Sequence, residues 1–549
     1  MYLLLNYYLG IIVTFTSIYG YGKVFSKNND DFFIFLCGYL FLGIVAIIIH
    51  FFIAINIWIS SVILILGNCL FVYKLKIRNF LFQVPLILSF ATLLIGFTDH
   101  PIDANLYHHS YVSYLKLEKI IFGIADIHSR FGHISFLQFV QSITTNDFLT
   151  IYSISNLNIL FYYLFIIFCA KLIFQKNTNN FVLVLTTLVS SFILIKLARY
   201  REFGNDLIPL LVASYFLIKI FIINFNKEIY KNNKLIKYSP IFFFMMLSHK
   251  ITYVFTTFLF ASNLNKKIIV GYFKNYKNLL ILISSIIFIS LWLVKNLFET
   301  SCLIYPIIQT CFENTKWALS GHASPEFAMI NAEAWAKGWI DKPDNYEISM
   351  ENYNVSFNWL KVWFGKHFLK IIEIISPLLI IIILIKIIIR NPSEKITDKE
   401  LFKEIKIFLF KIFILNFVGL AFWFLNAPIF RYGSFYIIIL IVNLYLIYDF
   451  EKIYNISENI RSKFKFIFAI SLIVFFFKNI DRQINSESMF FPITKPSIFE
   501  YEKIIFNKIN FLKPKNNINI CFYTDYICSH MITKNFNVEK LGKYFLIKN

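Results

Sequence analysis

The sequence predicts an all-α polytopic membrane protein with about fourteen membrane-crossing helices. Three observations lead to this fold class. Hydrophobic residues make up 58% of the 549 positions. Charged residues make up only 15%, well below the roughly 25% of soluble domains. Apolar runs of about 18 residues or more, each long enough to cross a bilayer, recur along the whole chain.

The candidate spans follow these apolar runs in chain order. The run from 32 to 73 is too long for a single crossing, so we divide it near His50. The predicted spans are residues 3–20, 32–49, 53–73, 80–97, 152–174, 180–197, 207–225, 239–247, 251–263, 279–297, 367–389, 407–426, 433–449 and 466–479. The membrane domain therefore occupies residues 1–479, and residues 480–549 form a small C-terminal tail outside the bilayer.

The short pair at 239–247 and 251–263 needs a separate argument. One long helix there would reverse every downstream crossing and place the lysine-rich segment 264–277 outside. Two short helices hinged at "SHK" (248–250) keep the charge pattern consistent, so we predict a hairpin. Half-crossing helices are tolerated when they pack inside protein or line a cavity.

Lysine and arginine residues are concentrated in alternate short loops, which the positive-inside rule assigns to the cytoplasm. Alternation then places five segments on the outer face, including a first large outer loop and a second outer loop. They are residues 98–150 (first loop), 198–206, 298–366 (second loop), 427–432 and 480–549.

The net charge of +21 has two readings, a nucleic-acid partner or a lysine-rich cytoplasmic surface. No basic patch interleaved with exposed aromatic residues occurs outside the predicted spans. We therefore expect contacts with anionic membrane lipids and no nucleic-acid partner.

Four of the seven cysteines form two local pairs, Cys302/Cys311 and Cys521/Cys528, in segments predicted to face outward. An oxidising compartment makes these four residues disulfide candidates. Metal ligation is the alternative in a cytosolic setting. The gaps of eight and six residues differ, however, from the two-to-four-residue spacing of zinc sites.

The stretch "TDHPIDANLYHH" (98–109) gathers Asp99, Asp103 and His108 at the predicted outer end of a span. Ionisable groups at membrane depth indicate a functional site by default. A carboxylate there can act as general base toward an acceptor hydroxyl. Two structural alternatives stay open, because Asp103 could cap the following helix and Pro101 favours a turn at Asp99.

Five of the ten histidines lie between residues 100 and 133, which keeps a divalent metal ion open as an alternative. His108 and His109 are adjacent and cannot share one face of a helix. No HxxxH or HExxH spacing occurs either. The sequence therefore predicts no definite cofactor.

Three further motifs fall on the predicted outer face: "HSRFG" with His128 and Arg130, "REFGND" with Arg201 and Asp206, and "FRYG" with Arg431. Arginine side chains bind phosphate in a bidentate geometry and can stabilise it as a leaving group. His128 and Arg130 could instead bond loop carbonyls. Arg431 could extend toward lipid head groups. Carboxylates and arginines together fit group transfer from a lipid-linked phosphate.

These motifs resemble the GT-C class of integral membrane glycosyltransferases and, more closely, a bacterial family of GT-C-like polytopic proteins. The matching stretches occur in family order between residues 99 and 528. They are "DANLYH" (103–108), "GIADIHSRFG" (123–132), "REFGND" (201–206), "CLIYP" (302–306), "RYG" (431–433) and "CFYTDYIC" (521–528). Asp126 and the pair His133-Ile134 depart from the pattern, which has Asn and an aromatic residue followed by Asn.

The resemblance implies a GT-C-like fold and a polyprenyl-phosphate sugar as donor. It also implies a location in a bacterial inner (cytoplasmic) membrane, with the active site facing the periplasm or exterior. It implies Asp103 as the catalytic base, with Asp99 as second candidate. The residues implied as substrate contacts are His108, His128, Arg130, Arg201, Asp206 and Arg431.

We therefore predict a glycosyltransferase, of hexosyl or pentosyl type, that acts on a cell-envelope glycan, lipid or protein acceptor on the outer face. A transporter or flippase of lipid-linked saccharides is the alternative from another class. Transporters usually carry internal repeats and a midplane site, and this sequence has no convincing repeat. A polymerase of lipid-linked saccharides shares the transfer chemistry and stays open.

Overall fold

The computed structural model describes residues 2–26, 30–74, 77–94, 104–146, 148, 156–197, 205–225, 234–256, 275–342, 348–389, 399–485, 500–507, 509–515, 521, 524, 526–532 and 536–548. Helices dominate this part of the chain. They are Tyr2–Phe25 (α1), Asp31–Phe52 (α2), Ile57–Lys74 (α3), Ile77–Leu94 (α4), His109–Leu117 (α5), Phe136–Thr144 (α6), Asn156–Phe174 (α7), Asn180–Lys196 (α8), Leu207–Phe225 (α9), Lys234–His249 (α10), Tyr276–Thr300 (α11), Pro325–Ala336 (α12), Met350–Val355 (α13), Trp359–Trp363 (α14), Leu369–Ile388 (α15), Lys399–Asn426 (α16), Phe430–Tyr448 (α17), Phe450–Tyr454 (α18) and Glu458–Ile484 (α19). Turns of 3-10 or π-helix lie at Ala104–His108, Ile124–Asp126, Ser129–Gly132, Ile251–Thr256, Ile308–Thr310, Gly321–Ala323, Trp339–Asp341 and Phe364–Phe368.

Seven helical stretches of the described residues are long and apolar enough to cross a membrane. They are Asp31–Phe52, Asn156–Phe174, Leu207–Phe225, Asn278–Thr300, Trp359–Ile388, Lys403–Asn426 and Phe430–Tyr448. Shorter apolar helices cover Ile57–Tyr73, Leu81–Leu94, Asn180–Lys196 and Ser239–His249. The predicted helical architecture is confirmed, and these lengths and compositions indicate a membrane protein. The count of fourteen crossings stays a prediction.

The long apolar run from 32 to 73 is divided where the sequence predicts. Helix α2 ends at Phe52 and α3 begins at Ile57, a few residues beyond His50. Asn56 Oδ1 accepts the backbone N–H of Ile59 at 3.1 Å. An asparagine in this position satisfies a donor that the first turn of a helix leaves unpaired, and so favours a new helix start.

The first three helices approach one another closely at glycines. A Cβ atom on Gly20 would collide with the backbone of Gly67, and one on Gly38 would collide with the carbonyl of Ile18. Small residues at such crossings are typical of helix packing in membranes, where close backbone approach supplies the dispersion contacts.

Large apolar side chains lie on the faces of several long helices that point away from the protein interior. Trp58, Phe82, Ile383, Phe410 and Phe477 are each more than half exposed in the isolated chain. Exposed apolar surface on this scale is rare on water-soluble monomers but matches the lipid tails around a membrane domain.

A fully buried ion pair connects the segment predicted as the first outer loop to two long helices. We keep the names first and second outer loop for the predicted segments 98–150 and 298–366. Lys295 Nζ lies 2.5 Å from Glu299 Oε1 on α11, and also 2.5 Å from His50 Nδ1 on α2. The hydroxyls of Tyr111 and Tyr114 on α5 donate to the two oxygens of Glu299 at 2.6 and 2.9 Å. Paired and hydrogen-bonded in this way, the buried charges hold α2, α5 and α11 in one arrangement.

The all-α prediction is wrong for the C-terminal tail, which contains β-strands. They are Tyr501–Phe506 (β2), Ile509–Pro514 (β3), Ile527–Cys528 (β4), Asn537–Leu541 (β5) and Tyr544–Lys548 (β6), and Ile121–Phe122 (β1) lies in the first outer loop. The two sheets have the orders β1-β6-β5 and β2-β3-β4. Gly542 adopts a positive φ of 62° in the two-residue turn between β5 and β6, a conformation that favours glycine and a tight hairpin.

The sheet β1-β6-β5 connects distant parts of the chain. In β1 and β6, Ile121 pairs with Phe545 and Phe122 with Leu546, in parallel register. The partners are more than 400 residues apart, so no local sequence pattern predicts their pairing. This contact places the C-terminal tail directly on the first outer loop.

Candidate functional site

The turn Ser129–Gly132 presents Arg130 at the surface of the first outer loop. His128 precedes this turn, and its Nδ1 accepts the backbone N–H of Arg130 at 3.1 Å. A Cβ atom on Gly132 would lie 2.5 Å from the ring of Tyr305, so the turn packs tightly against the second outer loop. The position of Arg130 is therefore set by contacts on both sides.

His108 lies at the end of the π-helical turn Ala104–His108 and is buried. Its Nδ1 is 3.2 Å from Gln138 Nε2. Gln138 Oε1 in turn accepts the backbone N–H of Ser135 at the start of α6. His108 is thus connected to the capping box of the next helix.

Asp206, Lys250 and Arg431 form an ionic group at the ends of three elements. Lys250 Nζ is paired with Asp206 Oδ1, and Arg431 Nε lies 3.8 Å from Asp206 Oδ2. Asp206 directly precedes α9, Lys250 directly follows α10, and Arg431 lies in the first turn of α17. All three side chains are partly exposed, so solvent or a ligand can reach the group.

The predicted hinge at 248–250 positions Lys250. His249 Nδ1 donates to the carbonyl oxygen of Met245 at 2.8 Å, and its Nε2 accepts from the hydroxyl of Tyr39 at 2.6 Å. The hydroxyl of Tyr436 on α17 donates to the carbonyl of Thr252 at 2.5 Å. These bonds end α10 at His249 and join the following turn to the helix that carries Arg431. Residues 257–263 of the predicted second half-helix lie outside the described residues.

Aromatic rings connect the cations. The guanidinium carbon of Arg130 lies 5.9 Å from the ring centre of Trp335, and that of Arg431 lies 5.7 Å from the same ring. Arg130 also lies 5.9 Å from the ring of Tyr107, and Lys250 Nζ lies 3.4 Å from that of Tyr432. Cations over aromatic faces are held in place without losing their charge.

The name "cationic cluster" is used below for Arg130, Lys250, Arg431, Asp206 and Trp335. Among these residues three side chains carry a positive charge and only Asp206 carries a negative one. The group is partly exposed and has a net positive charge. Its two guanidinium groups can each donate two parallel hydrogen bonds, which suits an anionic ligand such as a phosphate.

Two histidines beside the cluster are neutral. Burial lowers the pKa of His128 to about 3, and His530, Arg130 and His133 add to the effect. Desolvation and the charges of Arg130 and Lys250 lower the pKa of His133 to about 3 as well. At pH 7 these imidazoles add no charge to the site and can only exchange hydrogen bonds with a ligand.

Asp126 is a buried carboxyl group next to this loop. Its Oδ1 accepts the backbone N–H of Ser320 at 3.1 Å. Burial raises the pKa of Asp126 to about 7, although the bond from Ser320 opposes the shift. Near neutral pH the protonated form of Asp126 has the same shape as an amide.

Both cysteine pairs are disulfides in the structure, Cys302 with Cys311 and Cys521 with Cys528. The first pair lies beside Tyr305, which packs on the Arg130 turn. The second pair lies in the C-terminal tail, next to β4. In the part of the chain that the structure describes, no three His, Cys, Asp or Glu side chains are grouped to hold a metal ion.

Of the residues predicted from sequence, Arg130, Asp206 and Arg431 meet in the cationic cluster, and His128 lies beside it. Asp99, Asp103 and Arg201 lie outside the described residues. Sequence reasoning missed Lys250 and Trp335. Lys250 had a usable signal, because it is an ionisable residue between two apolar stretches, whereas Trp335 has none within its own segment.

One comparison with known proteins identifies a family. The family model described as "Domain of unknown function (DUF8201)" matches residues 1–438, about four fifths of the chain. No curated protein and no solved structure matches the chain. The matched range includes the first outer loop, the hinge and the first turn of α17, and the chain belongs to the DUF8201 family.

Proposed function

We propose that the protein is a GT-C-like glycosyltransferase of a bacterial inner membrane. It moves a sugar from a polyprenyl-phosphate donor to a cell-envelope glycan, lipid or protein acceptor on the outer face. Its membrane domain crosses the bilayer about fourteen times, and its outer loops form the active site.

The observation that carries this proposal is the convergence of Arg130, Lys250 and Arg431. The three residues are separated by more than 100 positions in sequence, yet Trp335 and Asp206 connect them in space. Like charges repel one another, so a group of three cations with a single carboxylate at helix ends favours a function in anion binding. A lipid-linked phosphate is an anion that reaches such a position from the membrane.

The predicted alternation of the crossings is supported by the segments from which these residues come. Arg130, Asp206, Trp335 and Arg431 come from four separate segments that the lysine pattern assigns to the outer face. Segments on one face of a membrane protein can form a common site, whereas segments on opposite faces cannot. The convergence therefore favours the predicted alternation of crossings, in which these four segments share one face.

In the proposed reaction the acceptor hydroxyl oxygen bonds to the sugar C1 as the bond from C1 to the phosphate oxygen breaks. Asp103 takes the acceptor proton, and the electron pair of the broken bond remains on the lipid phosphate. Arg130, Lys250 and Arg431 stabilise that developing charge. Asp206 is engaged by two cations, which makes it a part of the phosphate site rather than the base.

Transfer from radiolabelled polyprenyl-phosphate sugars tests this function. The purified protein in lipid is incubated with a panel of donors and with membranes that contain the native acceptor. We expect turnover by the wild type, no turnover by Asp103→Asn, and donor binding retained in that variant. Asp99→Asn is the matched control, because it removes a nearby carboxylate that the proposal does not require.

Two results would contradict the proposal. Full activity of Asp103→Asn would remove Asp103 from the mechanism. No donor consumption by the wild type, together with movement of a lipid-linked saccharide across liposomes, would replace the transferase with a transporter.

A further inference from the structure

The C-terminal tail is bonded to the first outer loop at buried positions. Ser110 Oγ donates to the carbonyl oxygen of Cys528 at 2.5 Å and accepts the N–H of Cys528 at 2.9 Å. Ser529 Oγ donates to the carbonyl oxygen of Ile127 at 2.8 Å. With the β1–β6 pairing, these bonds fix the tail at three places along the segment that leads to Arg130.

The docked tail brings His530 against His128. Their ring centres are 5.3 Å apart and the ring planes meet at 74°, an edge-to-face contact. On its other side, the His128 ring stacks on Phe131 with centres 5.6 Å apart. His128 is thus held between the loop and the tail, and its Nδ1 holds the backbone of Arg130.

The bond to Arg130 also fixes the tautomer of His128. Because Nδ1 accepts the Arg130 N–H, the ring proton of the neutral imidazole lies on Nε2. Within the described residues, neither His128 Nε2 nor His530 Nδ1 has a hydrogen-bond partner, and both atoms are buried. A rotated His128 ring would lose both the Arg130 bond and the edge-to-face contact with His530.

We propose that His530 is a positioning residue of the cationic cluster: its ring holds His128 in the orientation and tautomer that set the Arg130 turn. The tail is on this basis a part of the binding site, although it lies beyond the 438 residues of the family match. The identity of the anion bound by Arg130 rests on the proposed function, whereas the contact between His128 and His530 does not.

The tautomer of His128 provides a direct spectroscopic test. Protein labelled with ¹⁵N-histidine in lipid nanodiscs is compared by solid-state NMR, with the His128 signals assigned through His128→Gln. We expect a single Nε2–H tautomer in the wild type and a mixture or a shift in His530→Ala. His322→Ala is the matched control, because His322 makes a similar edge-to-face contact with Phe327, at 5.1 Å and 72°, and belongs to the second outer loop.

Binding of a polyprenyl phosphate in the same nanodiscs provides the second readout. We expect His530→Ala to weaken its affinity on the order of tenfold, as for other residues that orient a ligand-binding group. His530→Phe keeps an aromatic ring in place and is expected to restore both the affinity and the His128 signals. His322→Ala is expected to change neither.

Each outcome decides the proposal. It is overturned if His530→Ala leaves the His128 signals unchanged, or if His530→Phe fails to restore them, since the ring contact is then not what orients His128. If the wild type binds no polyprenyl phosphate but its His128 signals still depend on residue 530, the positioning role stands and the proposed function fails. Ser529→Ala, which loosens the tail without touching the histidines, should reproduce a weaker form of the His530→Ala spectrum.

Discussion

Arg130 and Arg431 lie against the same indole ring, that of Trp335, with guanidinium carbons 5.9 and 5.7 Å from its centre. The two arginines are 301 positions apart in the sequence, and the tryptophan comes from a third segment. This shared ring sets the spacing of two cations that the sequence identifies only as separate candidates.

Trp335→Leu is expected to weaken binding of a polyprenyl phosphate about 5- to 30-fold. Each cation–π contact contributes about 0.5–1 kcal/mol, and tenfold in affinity corresponds to about 1.4 kcal/mol. Titration in nanodiscs measures the change. Trp339→Leu is the control, because Trp339 packs on Tyr353 and contacts neither arginine in the structure. Equal losses in both variants would indicate general damage to the second outer loop and contradict the role of Trp335.

Lys250→Met is expected to reduce donor affinity by about 10- to 100-fold. A hydrogen bond to a charged group contributes about 1.5–3 kcal/mol. Removal of Lys250 also leaves the negative charge of Asp206 less compensated, and this charge repels a bound phosphate. The matched control is Lys366→Met, which breaks a Lys–Asp pair with Asp341 in the second outer loop. Wild-type affinity in Lys250→Met would remove this lysine from the site.

Asp126→Asn is expected to raise the melting temperature at pH 8 and to have little effect at pH 4. Burial raises the pKa of Asp126 from 3.8 to about 7. Between these values the folded state binds more protons than the unfolded state, so the contribution of Asp126 to stability falls as the pH rises. The amide cannot ionise and avoids this loss, which amounts to about 2–4 kcal/mol for a shift of this size.

Melting curves of the wild type and Asp126→Asn from pH 4 to 8 measure the difference. A constant offset between the two proteins across this range would contradict the raised pKa, since a titrating group must make the offset depend on pH.

Lys295→Met alone is expected to destabilise the protein by about 3–5 kcal/mol, because it leaves Glu299 buried without its cation. The double variant Lys295→Met/Glu299→Gln removes both charges and should recover much of that loss. Denaturation of the four proteins of the cycle, in detergent, measures the coupling between the two sites. Additive effects would show that the buried pair does not act as a unit.

Alkylation of the cysteines tests the predicted orientation. Cys37, Cys69 and Cys169 are the free cysteines of the structure, and the other four form two disulfides. Protein denatured without reductant should therefore take up alkyl groups at these three, and after reduction at all seven. Intact-mass measurement counts the groups. Seven modified cysteines before reduction would indicate a reducing compartment and contradict the outer-face placement of both pairs.

The helical character of the apolar segments was accessible from sequence because it depends on local properties. The division of the run 32–73 near His50 and the hinge at 248–250 follow from the length of a crossing and the charge of the loops. The strands of the tail were missed, although Gly542 in "LGKY" is a hairpin signal. The high apolar content of the chain favoured a prediction of helices throughout. The short segments after residue 500, in which apolar and polar residues alternate, were therefore not predicted as strands.

The sequence by itself determined that this protein is a helical, membrane-type chain with ionisable motifs at the ends of its apolar segments. Hydrophobic length and charge distribution are read directly from neighbouring residues, so both are encoded locally. Only the tertiary structure decided that Lys250 pairs with Asp206, that Trp335 joins two arginines and that His530 packs on His128. Those contacts depend on which helix ends meet and on backbone pairing between segments hundreds of residues apart, and no local pattern specifies either.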